Sequence, residues 1–116
     1  MRQRTAALAW LGDTAADRQV AEYALCALWA EPRLHEDLRD AVHPVLAAGF
    51  THGDGTAMEA KDTERLLWRL WHAGRELGYL DERERSVDAP ISLSATGRSA
   101  ALAALRLLAE GPRGRV

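Results

Sequence analysis

The chain reads as one mainly α-helical domain with a small β-hairpin near its C-terminal end. Three features carry that expectation. Apolar residues recur at three- and four-residue spacing in several segments, the helical period. One short run, Val87-Asp-Ala-Pro-Ile-Ser-Leu93, alternates apolar and polar residues instead, the period of a half-buried strand. Gly12, Pro32, Gly49 and the pair Gly111-Pro112 punctuate the chain where those patterns stop.

A chain of 116 residues fits one domain, here 1–110, with a disordered tail at 111–116. Its 47% hydrophobic and 28% charged residues are globular proportions, and the apolar share leans on alanine and leucine, which favour helix. The net charge of −2 means that no global field draws the protein to nucleic acid, so any basic surface is local. Lys61 is the only lysine, and the remaining basic residues are arginines. The single Cys26 excludes an intramolecular disulfide, and among Ala24, Leu25, Ala27 and Leu28 it reads as a buried, inert thiol. The apolar stretch ending at Leu11 is too short for a signal-peptide core, and no run approaches membrane-spanning length, so a cytoplasmic bacterial protein is expected.

In order, Thr5 to Leu11 predicts a short helix stopped by Gly12. Thr14-Ala-Ala-Asp17 resembles a capping box and starts a second helix near residue 15, with Val20, Ala24, Ala27 and Leu28 inward. Pro32 ends it and can open a third, in which Leu34, Leu38, Val42 and Val45 share a face. Pro44 predicts a kink or break near His43. Phe50 to Ala60 is loop, and the next helix is expected from Asp62 to Tyr79; an earlier start capped by Thr56 and Glu59 is the alternative, which would put Glu59 on the apolar side. Ser94 or Thr96 caps a closing helix whose stripe is Ala101, Leu102, Leu105 and Leu108.

The helix at 62–79 carries the candidate site. At about 100° per residue, Leu66, Leu67, Leu70, Ala73, Gly74 and Leu77 gather on one side, with Leu80 just beyond. Arg65, Trp68, Arg69, His72, Arg75 and Tyr79 gather opposite, with Lys61 one turn earlier. Arginine forks match guanine edges and phosphates, and a helix with its side chains fills the major groove. The bland reading of the same face is a solvated helix surface. Trp68 and Tyr79 fit a sugar contact, a small-molecule pocket or a dimer contact equally well.

Leu77-Gly-Tyr-Leu-Asp81, the charged turn after it, and Ile91-Ser-Leu-Ser-Ala-Thr-Gly-Arg98 before an alanine-leucine helix resemble the wing region of MarR- and PadR-type winged-helix regulators, over residues 62–108. The resemblance implies a winged helix-turn-helix-like fold and a homodimer on a pseudo-palindromic operator. It also implies that the helix 62–79 reads duplex DNA and that a wing at 80–93 flanks it. Arg65, Arg69, His72 and Arg75 would then lie at base and phosphate contacts, with Arg83 and Arg85 on the wing. Two departures stand beside it: the wing is as acidic as it is basic, and a glycine-rich loop replaces a tight turn before the reading helix.

Nothing in the spacing of His35, His43, His52 and His72 points to a metal, and no nucleophile or phosphate-loop motif is present, so neither an enzyme nor a cofactor is expected. His35 with Glu36, and Asp40 with His43, read as surface pairs. A protein-binding winged-helix module and a helical subunit of a nucleoprotein assembly, stacking single strands on Trp68, are the competing readings. Apolar residues on the N-terminal helix (Ala6, Ala7, Leu8, Trp10, Leu11) and on the last helix favour a homodimer, although Trp10 is equally suited to the monomer core.

Overall fold

Thr14 begins the architecture with a local bond. Its Oγ1 accepts the Asp17 backbone N–H at 3.0 Å, and its own N–H donates to Asp17 Oδ2 at 3.3 Å. This capping box opens α1, Ala15–Ala30, where it was expected. The computed structural model describes residues 9–12, 14–81 and 89–110. The expected wing residues Arg83 and Arg85, the tail 111–116 and most of the N-terminal helix lie outside them. Within them, residues 9–11 are helical and Gly12 turns the chain with φ at +80°.

Three further helices follow: α2, His35–Gly49; α3, Ala60–Glu76; and α4, Ala95–Glu110. The fold is mainly α, and the remaining pairing among the described residues is confined to isolated antiparallel bridges, Arg33 with Ile91, Thr51 with Ala57, and Leu80 with Leu93. α1 packs against α2, α3 and α4, and α2 also packs against α3. Val20, Ala21, Ala24, Leu25 and Leu28 of α1 meet Leu38, Val42 and Leu46 of α2, and Leu67, Leu70 and Trp71 of α3, in one core.

Several boundaries differ from expectation for identifiable reasons. α2 starts at His35 rather than Pro32, because Arg33 is drawn into a bridge whose two backbone bonds with Ile91 measure 3.0 and 2.7 Å. α2 runs on through Pro44 to Gly49 without a break. α3 starts at Ala60, not Asp62: Asp62 reaches back to accept the Glu59 N–H at 2.8 Å. It ends at Glu76 because Gly78, with φ at +77°, closes it. There the Tyr79 N–H reaches the Gly74 carbonyl at 2.8 Å and the Gly78 N–H reaches Arg75 at 3.1 Å, the two bonds of a Schellman motif.

That reversal turns two residues over. Tyr79, expected outside, is 6% exposed and lies against Trp10, with ring centroids 4.7 Å apart. Leu77, expected inside, is 39% exposed. Trp10 is buried too, and its indole N–H donates to the Leu70 carbonyl at 3.1 Å, so Trp10 and Leu11 belong to the core of one chain and not to a dimer face. Cys26 is exposed, contrary to expectation, because α1 buries its alanines instead.

α4 corrects the expected leucine stripe. Ser94 caps it as foreseen, accepting the Gly97 N–H at 3.0 Å. The buried line, however, is Gly97, Ala101 and Ala104, while Leu102 is exposed and Leu105 and Leu108 are half-buried. A Cβ at Gly97 would run into the Tyr79 carbonyl, so only glycine lets the helix sit this close. Gly97→Ala should therefore cost about 1–3 kcal/mol, as overpacking does, read as a fall in Tm. Gly49→Ala, at a helical site with open space around the new methyl, should gain up to about 1 kcal/mol.

Candidate functional site

The outer side of α3 is set by what its inner side must bury. Asp62, Thr63, Leu67, Leu70, Trp71 and Gly74 are buried. Lys61, Arg65, Arg69, His72 and Arg75 are left exposed, and Trp68 is half-buried. The helix thus carries these six expected residues on the side away from its buried face, whereas Arg83 and Arg85 fall outside the described residues.

Exposure does not leave the cations unengaged. Lys61 Nζ is 3.3 Å from Glu59, with both side chains well into solvent. Arg65 is 3.6 Å from Asp62 and 73% exposed. Arg69 differs in reach: like Arg65 it meets a buried carboxylate, but one on another helix. Its guanidinium is 3.2 Å from Asp17 Oδ2, the carboxylate that also closes the capping box of α1, and Asp17 is only 8% exposed. A Cβ at Gly12 would overlap that guanidinium, so the left-handed glycine turn makes its room. The uncovered Arg69 expected from the sequence is instead tied into the fold, because it bridges α3 to the start of α1.

Trp68 is not an open aromatic either. Its ring lies 4.6 Å from that of His35, at 31°, and 6.0 Å from that of His72, at 34°. His35 also takes the Trp71 indole N–H on Nδ1 at 2.8 Å and turns Nε2 toward Glu64 Oε1 at 3.4 Å. Arg39 reaches the same Glu64 oxygen at 3.5 Å and Asp40 at 3.1 Å. The expected surface pairs are therefore replaced: His35 serves Trp71, Asp40 serves Arg39, and His43 Nδ1 lies 2.7 Å from Thr63 Oγ1. Glu64, Trp68 and Trp71 share one stripe of α3 at helical spacing, a signal available in the sequence, but their partner on α2 is not.

At the other end of α3, His52 Nε2 is 2.9 Å from Asp62 Oδ2, so this loop histidine braces the helix start and does not pair with Asp54. Asp54 instead accepts from Thr56 within its own turn. The Asp62 carboxyl is held below its ordinary value, first by the Glu59 backbone N–H and then by His52 and Arg65, against the opposing effect of burial. Among the described residues, no three of His, Cys, Asp and Glu gather to hold a metal ion, and no helix is long and apolar enough to cross a membrane. No protein-family model, curated protein or solved structure matches the chain.

The lowered Asp62 value has a signed consequence. A carboxylate held more acidic when folded contributes stability above its unfolded value, near 3.8, and loses it as pH falls through the folded value. Denaturation in acid should show this: Asp62→Asn, which keeps an acceptor for Glu59, should flatten the loss of stability below about pH 4 relative to the parent chain.

Proposed function

We propose that the chain is a winged-helix-like DNA-binding protein that presents α3 to duplex DNA. The observation that carries this reading is the order of the elements. A bridge at Arg33 separates α1 from α2, α3 is followed by the bridge residue Leu80, and the returning segment pairs Ile91 with Arg33 and Leu93 with Leu80 before α4 begins. This order agrees with that of a winged helix, in which the helix before the wing is the one offered to the groove. The exposed basic side of α3 supports the same reading.

Within this reading the residues divide by role. Lys61 holds Glu59 through a long, solvated pair that contributes little, so a phosphate can replace that partner, whereas Arg65 is itself exposed but rests on the buried Asp62. His72 and Arg75 lie on the same side. Arg69 orients the helix through Asp17 and is a positioning residue. Regulation of transcription, action as a homodimer and a cytoplasmic location extend this proposal.

A protein-binding module is the second reading, favoured by the net charge of −2 and by the carboxylates already paired with Lys61, Arg65 and Arg69. Binding to mixed-sequence duplex DNA, followed as salt rises from about 50 mM, separates the two. The DNA reading expects a steep decline in affinity with salt, and a salt slope about one unit shallower in Lys61→Ala at unchanged Tm. Arg69→Ala should lower Tm, by about 1 kcal/mol of stability, since Asp17 loses its partner. Absence of salt-dependent binding at about 50 mM defeats the DNA reading.

A further inference from the structure

The polar side-chain ties of α2 and its following loop to α3 run largely through imidazoles. His43 meets Thr63, His52 meets Asp62, and His35 meets Trp71. The three respond differently to a proton. A charged His43 still donates to a hydroxyl, and a charged His52 strengthens its tie to a carboxylate. His35 does not fit that pattern. An indole N–H only donates, so Nδ1 of His35 has to accept, and its ring proton sits on Nε2.

That second nitrogen is the unusual one. It is shut off from solvent and has no hydrogen-bond partner, although Glu64 Oε1 stands 3.4 Å away. The distance is longer than a good N–H···O bond. The His35 side chain is only 11% exposed, so water does not readily make up the deficit.

We propose that His35 is a proton-operated switch between two partners on α3. A proton taken from solvent at Nδ1 removes the acceptor for the Trp71 indole N–H. The resulting imidazolium closes from Nε2 onto the Glu64 carboxylate. One bond is exchanged for another along the same seam, with one proton gained and none lost elsewhere. Trp71 is 1% exposed, so its released N–H has no solvent to turn to and the indole has to shift. Trp68, whose ring lies 4.6 Å from the imidazole, forms part of the outer face of α3 and would move with it.

The surrounding charges allow this exchange in both directions. Among the described residues, Glu64 faces the ring from α3 and favours the charged form. Arg39, one turn along α2, competes for the same Glu64 oxygen at 3.5 Å and opposes it. Glu36 and Asp37 follow His35 on the first turn of α2 and are exposed. The face of Trp68 stabilises a cation above it. The switch stands whether or not α3 meets DNA.

Nitrogen-correlated NMR of the full chain from about pH 8 to about pH 5, the range in which histidine changes charge, tests it. The Trp71 indole resonance is assigned by its loss in Trp71→Phe. At the upper end His35 should carry its proton on Nε2. On acidification the Trp71 indole resonance should shift with the same midpoint as the His35 ring. His35→Asn, whose amide accepts without titrating, should hold the indole resonance still. Glu64→Gln, at a side chain 39% exposed, should move the midpoint to lower pH. A His35 proton on Nδ1 at high pH, or an indole resonance that stays fixed while His35 titrates, overturns the proposal.

Discussion

A helix of sixteen residues that three others must touch has to be small on most of its sides. α1 meets that requirement with alanine. Ala21 and Ala24 are fully buried beside Val20, Leu25 and Leu28, and the short side chains let α2, α3 and α4 close on it from different directions. Helix separations are set by the side chains at the contact, so larger residues there would push the neighbours apart. The same economy of size recurs on α4, whose buried line is glycine and alanine. Large aromatics then fill the spaces between helices: Trp71 between α3 and α2, and Trp10 under Tyr79.

With α3 held on two sides, its rotation about its own axis is no longer open. Leu67, Leu70 and Trp71 point inward, and Arg69 reaches across to the carboxylate that caps α1. The basic side is consequently a by-product of packing as much as a chosen surface. What distinguishes its members is how firmly each is held. A guanidinium against a buried carboxylate, as at Arg69 and Arg65, is part of the scaffold, whereas an ammonium paired in open water, as at Lys61, exchanges partners at little cost.

Local chemistry was legible in the residues and long-range chemistry was not. Thr14 with Asp17, and Ser94 with Gly97, are caps written within three residues, so spacing alone finds them. The helix end before Gly78 is of the same kind, yet the motif did not reveal that the reversal carries Tyr79 inward. Alanine-rich helices hide their orientation, because alanine sits equally well inside or outside. This is why Cys26 and the leucines of α4 were assigned to the wrong side. Trp71 and Arg69 escaped for a third reason. Each looks like an ordinary member of an amphipathic helix until the residue that meets it, far away in the chain, is known.

The bonding around Leu80 and Leu93 has one more implication. The Asp81 N–H donates to Ser92 and the Ser94 N–H donates to Tyr79, both at 2.9 Å, while the Ser94 hydroxyl locks onto the Gly78 carbonyl at 2.8 Å. The two chain ends that lead to and from the residues between Asp81 and Ala89 are thus clasped before that connection begins. The joint between the end of α3 and the start of α4 is therefore fixed by bonds of its own and does not rest on side-chain packing alone.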